Sequence, residues 1–175
     1  MDSIRQRLAP TLVTERLVLT TPALTHVPAM ARLANNKRIH AVLSRLPHPY
    51  GESDGQFFVQ QIARGSEEWA WSILHEGNFI GTIGLHLLPE EVPGLGYWLG
   101  EPFWGQGFAT EAAHAVVRAA QAAGLPALCS RALLGNAASI KVLRKAGFTE
   151  AGEAVDQTGT LVGQRVMLMR LEFGQ

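Results

Sequence analysis

Three stretches with the alternating pattern of a strand follow one another in the middle of the chain, and no helix fits between them. Apolar residues alternate with polar or small ones over residues 69–75 and again over 79–88. Strands joined by such short connections run antiparallel, so the pattern predicts a hairpin that continues into a third strand over 92–99. Gly94 and Gly96 interrupt that strand, and glycines there mark a bulge or the close approach of another backbone.

Helix and strand patterns surround this meander. A first strand is predicted over 16–20, and apolar spacing predicts helices over 25–35, capped by Thr25, and over 53–64. The later elements are predicted as a helix over 107–123, a strand over 127–134, a helix over 136–145 and two strands joined near 157–159. The order βααβββαβαββ predicts an α/β fold in which helices cover both faces of one mixed, mostly antiparallel sheet.

The size and composition of the chain fit one globular domain. Its 175 residues are 47% hydrophobic and 17% charged, which is enough apolar surface for a substantial core. No repeat or linker divides the sequence. We therefore expect a single domain over 14–175, preceded by a loose leader over 1–13.

The charged and sulfur-containing residues narrow the possible partners. Fifteen basic residues balance fifteen acidic ones, so no overall field attracts nucleic acid or an anionic membrane. Cys129 is the only cysteine, which excludes an internal disulfide and a multi-cysteine metal site. No signal region is recognisable, and no run approaches the about 20 apolar residues of a membrane span. We expect a cytoplasmic monomer or homodimer that binds no metal.

A glycine-rich segment, residues 104–110, joins the third meander strand to the following helix. The start of a helix leaves backbone N–H groups without partners and carries about half a positive charge. Glycines there let a phosphate approach those N–H groups. A tight turn whose glycines only adopt positive φ angles is the alternative. A dinucleotide fingerprint is excluded, because Thr110 occupies its third small position and the next acid, Glu150, is too distant. The Gly-Lys-Ser/Thr of a Walker loop is missing.

Three segments together resemble the GNAT superfamily of acetyltransferases, and most closely its RimJ/RimL branch, which acetylates ribosomal-protein N-termini. Residues 97–112 (YWLGEPFWGQGFATEA) resemble its CoA-binding motif, and residues 14–17 (TERL) resemble the usual opening of the branch. Residues 136–148 (NAASIKVLRKAGF) resemble its second conserved block. The resemblance spans about 14–172 and implies the GNAT fold, with acetyl-CoA bound where the strand over 92–99 separates from the strand over 127–134.

The resemblance assigns the cosubstrate contacts residue by residue. It implies that the backbone over 97–99 pairs with the pantetheine arm and that Asn136 and Ser139 face the thioester. Trp104 is usual in this branch but differs from the wider superfamily, so we expect no phosphate contact from its side chain. The residues implied to bind acetyl-CoA are Tyr97, Trp98, Leu99, Gly105, Gln106, Gly107, Phe108, Ala109, Thr110, Asn136 and Ser139.

Acetylation of an amine requires a group that protonates the departing thiolate. Many superfamily members use a tyrosine in the second block, and Leu143 stands at that position here. Ser139 is our candidate for the proton donor, with Asn136 beside it. The alternative is local, because a serine at the third position of a helix that Asn136 caps contributes to capping alone.

The general base has no clear candidate in the sequence. The branch often places a glutamate before the Gly-Tyr of the third meander strand, and this chain has Gly94 there. Four other residues lie near enough in sequence to consider: Glu90, Glu91, His86 and Asp156. We interpret the acids as solvated loop charges and His86 as a paired strand residue.

Three further features have structural interpretations. Cys129 lies in the middle of an apolar strand, which is typical of a small buried side chain rather than a nucleophile. The negative charge of Glu111 lies in the first turn of its helix, where it interacts favourably with the positive end of the helix dipole. Lys141, Arg144 and Lys145 lie in the last turns of a helix, where cations are favourable, and a contact with the CoA 3′-phosphate is the alternative.

The sequence thus predicts an N-acetyltransferase that moves acetyl directly from acetyl-CoA to a protein or peptide N-terminal α-amine, or to another weakly basic amine. The missing tyrosine and the glycine at position 94 leave a second hypothesis open. In that hypothesis the chain binds acetyl-CoA as a sensor or scaffold without useful turnover.

Overall fold

The computed structural model describes residues 2–157 and 159–174, and eight strands form a single sheet within them. In chain order they are β1 Leu12–Val13, β2 Leu17–Thr20, β3 Glu68–His75, β4 Asn78–His86, β5 Gly94–Leu99, β6 Ala127–Leu133, β7 Thr149–Val155 and β8 Arg165–Glu172. The order across the sheet is β1-β2-β3-β4-β5-β6-β8-β7. Every neighbouring pair is antiparallel except β5 and β6, which run parallel. The predicted meander is β3-β4-β5.

Helices cover both faces of the sheet, so the predicted fold class is confirmed. They are α1 Asp2–Arg5, α2 Val27–Ala34, α3 Lys37–His40, α4 Glu52–Phe57, α5 Phe108–Ala122 and α6 Ala137–Lys145. A π turn, Phe58–Ile62, extends α4. None of the helices in the described residues is long and apolar enough to cross a bilayer.

Two separate apolar clusters fill the two faces. The larger contains the buried stripe of α5, including Ala112 and Val116, together with Leu99 of β5. The smaller places Met30 of α2 against Trp98 of β5. Adjacent residues of one strand point to opposite faces, so β5 contributes to both clusters.

One local prediction for α2 was wrong, and the short helix that follows it was missed. Thr25 does not cap α2, because a short 3₁₀ turn, Leu24–His26, precedes the helix and no side chain caps it. Helix α3 was not predicted. Its four residues are too few to show an apolar period, and the Asn36 side chain initiates it by accepting hydrogen bonds from the Arg38 and Ile39 amides.

The prediction of a loose leader over 1–13 was also wrong for the described residues. Leu8 is only 2% exposed and packs into the larger cluster. The Trp71 indole donates a hydrogen bond to the Ala9 carbonyl at 3.1 Å, and β1 adds a strand to the edge of β2. A few apolar residues and an open sheet edge are enough to order this segment, although its sequence has no periodic pattern.

Replacing Leu8 by alanine tests whether this segment belongs to the cooperative fold. We expect the Leu8→Ala substitution to lower the free energy of unfolding by about 2–4 kcal/mol, because it leaves a cavity in the core. Urea denaturation measures the change. Val13→Ala is the control: its side chain is 74% exposed, so the change should stay within about 0.5 kcal/mol. Equal stabilities for the two variants would contradict a packed leader.

Candidate active site

The glycine loop leaves the end of β5 and enters α5. Gly105 and Gly107 have φ angles of +72° and +82°, which other residues rarely adopt. Gly107 is the N-cap residue of α5. A Cβ added at Gly105 would have no neighbour within 4 Å, so the space above it is open. No side chain caps the first turn of α5, so its N–H groups at Phe108, Ala109 and Thr110 have no capping partner and suit an anion.

A polar cluster of Thr14, Arg16 and Glu111 holds this loop against α5, and its first two members lie just before β2. The Glu111 carboxylate accepts hydrogen bonds from Thr14 Oγ1 at 2.6 Å, from the Arg16 amide at 2.8 Å and from Arg16 Nε at 2.7 Å. The Arg16 guanidinium also donates to the Gln106 carbonyl at 2.9 Å. Burial raises the pKa of Glu111, but the bonds from Thr14 and Arg16 outweigh it, and the pKa is lowered. Glu111 is thus structural, as predicted, and it fixes the loop as well as the helix.

Sequence reasoning missed the part that Arg16 plays in the loop. The segment 14–17 was noted only as a family feature. Arg16 contacts Gln106 across 90 positions, and its guanidinium lies 4.5 Å from the ring centre of Phe108. No local pattern predicts such a pairing. The only available signal was that Arg16 belongs to the segment 14–17, which resembles the usual opening of the branch.

Two aromatic side chains of the loop also serve to position it. The Trp104 indole donates a hydrogen bond to the Leu99 carbonyl at 2.8 Å and so ties the loop to the end of β5. This hydrogen bond uses the single donor of the Trp104 side chain. Phe108 is buried, and its ring lies 4.6 Å from that of His75. Only the backbone of Phe108 is therefore available to a ligand.

The strands β5 and β6 separate almost as soon as they meet. They pair at one position, Gly94 with Cys129, and then diverge. The Gly100 amide donates a hydrogen bond to the Ile80 carbonyl of β4. Bonded pairs alternate along an antiparallel ladder, so the backbone of Trp98 also faces β4, whereas the residues on either side of it face the gap.

The backbone groups of Tyr97 and Leu99 therefore face the gap, whereas those of Trp98 do not. Of the residues 97–99 predicted to pair with the pantetheine arm, only these two have backbone groups directed to it. Trp104 already engages the Leu99 carbonyl. Three backbone groups then face the gap: both groups of Tyr97 and the amide of Leu99. An extended chain that carries amide groups, as the pantetheine arm does, fits such an edge as an added strand. The Trp98 side chain packs against α2 in the smaller apolar cluster.

A pair of hydroxyl groups spans β5 and α6 beside this gap. The Tyr97 hydroxyl donates a hydrogen bond to Ser139 Oγ at 3.1 Å. Ser139 Oγ accepts that bond, so its own proton remains available to another acceptor. Burial raises the pKa of Tyr97, and the bond to Ser139 opposes the shift only in part. The phenol therefore stays protonated near neutral pH.

The second conserved block is arranged around the same serine. Asn136 is the N-cap of α6, and its side-chain oxygen accepts a hydrogen bond from the Ser139 amide at 3.2 Å. The cap is thus provided by Asn136, and the Ser139 hydroxyl is directed to Tyr97 instead. Leu143, at the position of the family's tyrosine, is 1% exposed and lies in the core.

The candidate bases have different surroundings. Glu90 and Glu91 are exposed in the connection before β5, as predicted. The interpretation of Asp156 as a solvated charge was wrong, because its side chain is buried and lies 3.3 Å from the Arg131 guanidinium. His86 is paired, as predicted, and its partner is Glu68.

The remaining candidates lie at the edges of the site. Cys129 donates a hydrogen bond to the Val92 carbonyl, and burial raises the pKa of its thiol, so little of the nucleophilic thiolate forms at neutral pH. Arg144 is paired with Glu150. Lys145 lines a groove of about 410 Å³ that begins at the glycine loop. The other residues of this groove are Thr14, Glu15, Gly107, Thr110, Glu111, His114 and Arg118.

The sequence model of the acetyltransferase (GNAT) domain matches residues 16–149, which is well over half of the chain. The chain therefore belongs to the GNAT acetyltransferase family. It is an acetyl-CoA-dependent N-acetyltransferase, and the loop, gap and groove described above suit a cosubstrate with phosphates and an amide-bearing arm. A comparison with curated proteins finds no match.

Solved structures with the same fold include several acetyltransferases. The microcin C7 self-immunity acetyltransferase MccE, solved with acetyl-CoA and AMP, is 18% identical over 96% of this chain and 99% of its own, with a TM-score of 0.81. RimL, a ribosomal L7/L12 α-N-protein acetyltransferase solved with coenzyme A, is 21% identical over 93% and 98%, with a TM-score of 0.81. An acetyltransferase from Salmonella typhimurium that modifies the N-terminal serine of L7/L12 is 22% identical over 92% and 97%, with a TM-score of 0.77. At these identities the likeness shows the fold.

The open space above Gly105 leads to a binding prediction. We expect Gly105→Val to weaken acetyl-CoA binding at least tenfold, about 1.4 kcal/mol, because the branched side chain enters that space and disfavours the positive φ. Calorimetry measures the affinity. Gly77→Val is the matched control, since Gly77 has a φ of +77° and equally open surroundings but lies in the β3–β4 turn. Equal affinities for the two variants would show that backbone strain, rather than the site, causes any loss.

Proposed function

We propose that the acceptor is the α-amine of a peptide or protein N-terminus, or another weakly basic amine, and that it attacks the thioester directly. One observation carries the proposal: the face of β5 that turns towards α2 and α4 holds Gly94, Gly96 and Trp98, and so no carboxylate. The opposite face of the sheet is filled by the core beneath α5. The amine therefore has to arrive on a face where β5 itself offers no acid to accept its proton.

The ordinary pKa values of amines convert this observation into a preference. An α-amine titrates near 7.7–8.0 and a lysine amine near 10.4. At pH 7.5 roughly a third of α-amines are neutral, against about one lysine in a thousand. An enzyme for lysine must overcome a deficit of roughly 3–4 kcal/mol with a strong base or a desolvating pocket. A weakly basic amine makes no such demand.

Two of the structural neighbours lend support to this preference. RimL is described as an α-N-protein acetyltransferase, and the Salmonella typhimurium protein as modifying an N-terminal serine. Both have the arrangement of strands and helices found here. MccE, with the same fold, belongs to an immunity system, so the fold by itself does not select the acceptor.

The residues around the gap suggest how the chain assists the transfer. Acetyl-CoA supplies the acetyl group as a thioester. The backbone of Tyr97 and the amide of Leu99 hold and orient the arm beside Ser139. Ser139 Oγ donates its proton towards the sulfur position, and the Tyr97 hydroxyl keeps Ser139 in that orientation. Cys129 takes no part, since its thiol is protonated and bonded to the Val92 carbonyl.

Removing the Ser139 hydroxyl tests the proton donor. We expect Ser139→Ala to lower kcat about ten- to a hundredfold and to leave the KM for acetyl-CoA nearly unchanged, because a donor to the departing sulfur acts mainly in the transition state. Steady-state kinetics separates the two constants. Tyr97→Phe should give a smaller loss of kcat, since Ser139 then loses only its orienting partner. If Ser139→Ala lowers only the melting temperature, the serine is structural.

The acceptor is tested with paired peptides. One set has a free N-terminus and no lysine, and the matched set is N-blocked and carries one lysine. We expect kcat/KM near neutral pH to be at least tenfold higher for the free N-termini, because more of the α-amine is neutral. The difference in kcat/KM between the two peptide sets should become smaller as the pH approaches the pKa of lysine, near 10.4. Equal or faster acetylation of the blocked lysine peptides at pH 7.5 would contradict the proposed acceptor.

A further inference from the structure

The two glycines of β5 lie beneath an imidazole. Residues directly opposite one another across neighbouring strands share a face of the sheet, as do residues two positions apart. The three cross-strand rows on the face towards α2 and α4 are Glu68–His86–Gly94, Ala70–Gly84–Gly96 and Ser72–Thr82–Trp98. His86 is thus the neighbour of the position where the branch carries its glutamate, and it projects from the same face.

The imidazole occupies the space that the glycines leave. A Cβ at Gly96 would lie 3.3 Å from His86 Nε2, and a Cβ at Gly94 would lie 3.7 Å from His86 Cβ and Cδ2. The ring therefore extends over β5, and its Nε2 atom reaches the row of Gly96, one position before Tyr97. The gap between β5 and β6 opens at this point. The pairing of β4 with β5 has no bulge, and the space beside these glycines is filled by a side chain rather than by the backbone that the sequence predicts.

The other ring nitrogen faces a carboxylate. His86 Nδ1 lies 2.5 Å from Glu68 Oε2, and Glu68 in turn lies over Gly84, where a Cβ would come within 2.6 Å of its Oε1. The side chain of Glu68 is only 15% exposed, whereas that of His86 is 39% exposed. A carboxylate at Nδ1 favours a proton on that nitrogen and leaves the Nε2 lone pair free. Nδ1, the nitrogen beside Glu68, is buried, and Nε2 is the nitrogen beside the gap.

We propose that His86 Nε2 is the general base of the transfer and that Glu68 orients it. In this step the acceptor ammonium gives one proton to His86: its N–H bond breaks, an Nε2–H bond forms, and the freed lone pair of the amine bonds to the acetyl carbon. The C–S bond then breaks, the departing thiolate takes the proton of Ser139 Oγ, and the second proton of the amine nitrogen restores the Ser139 hydroxyl, which leaves the neutral amide. The imidazolium that results is balanced by the Glu68 carboxylate beside it, and it returns the proton to water after product release. The partly buried pair Glu68–His86 thus replaces the glutamate that is missing at Gly94.

The proposal rests on the N-acetyltransferase function proposed above and deepens it. An ordinary imidazole titrates about one unit below an α-ammonium but about four units below a lysine ammonium. Proton transfer to imidazole is therefore much less unfavourable from an α-amine. The other acids near the gap are less suited, because Asp156 is paired with Arg131 and Glu90 and Glu91 lie in an exposed loop.

Substitutions at the pair test the assignment in the full-length protein with a free-N-terminus peptide as acceptor. We expect His86→Gln and His86→Ala to lower kcat roughly 10²–10⁴-fold at neutral pH, the range for loss of a general base, while the KM for acetyl-CoA changes less than threefold. Glu68→Gln should lower kcat about tenfold, because the imidazole remains without its orienting charge. His40→Gln removes an imidazole that bonds the Leu46 carbonyl, and it should keep the wild-type rate.

Chemical rescue separates a base from a structural residue. Added imidazole should restore a substantial part of the activity of His86→Ala, and it should not accelerate the wild type or Ser139→Ala. Retention of kcat within threefold in both His86 variants, or losses that imidazole does not rescue and that accompany a lowered melting temperature, would overturn the assignment. If blocked lysine peptides are preferred while the His86 variants still lose activity and are rescued, the base assignment stands and the proposed acceptor fails.

Discussion

The site depends on the separation of β5 from β6. Two parallel strands that remained paired would satisfy each other's backbone groups, and no edge would be left for a ligand. Here they pair only at Gly94 and Cys129 and then diverge, so Tyr97 and Leu99 keep polar groups directed into the gap. Because buried backbone groups need partners, such a gap favours an amide-bearing chain as its occupant. The site that the family resemblance implies for the cosubstrate is thus a break in the sheet rather than a pocket in its surface.

Contacts distant in sequence keep this break in a fixed shape. Trp104 ties the glycine loop back to the Leu99 carbonyl, and Arg16 ties the same loop to Glu111 in the first turn of α5. Three elements therefore fix one loop of about four exposed residues. A loop held in this way presents its N–H groups without reorganising when an anion binds, which is how backbone donors become effective.

The alternation of a strand distributes the proposed chemistry to two faces of the sheet. Tyr97 points towards α6, where its hydroxyl meets Ser139 beside the sulfur position. The neighbouring even-numbered residues point the other way, and two of them are glycines that make room for His86. The proposed proton donor and proton acceptor then lie on opposite sides of the acetyl carbon, where the C–S bond breaks and the N–C bond forms. One strand of six residues organises both, because successive side chains leave it in opposite directions.

The sequence by itself determined the meander, the helices α5 and α6, the glycine loop and the family, because periodicity, turn residues and motif spacing are local properties. Through the family resemblance it also led to Ser139 and Asn136 as candidate site residues. Only the tertiary structure decided that Trp98 turns its backbone to β4, that the leader packs through Leu8, and that Asp156 is buried. It alone brought Arg16 to Glu111 across 95 positions and Tyr97 to Ser139 across 42. These outcomes depend on strand register and on which elements pack together, and a change of register by one residue would send each side chain to the other face.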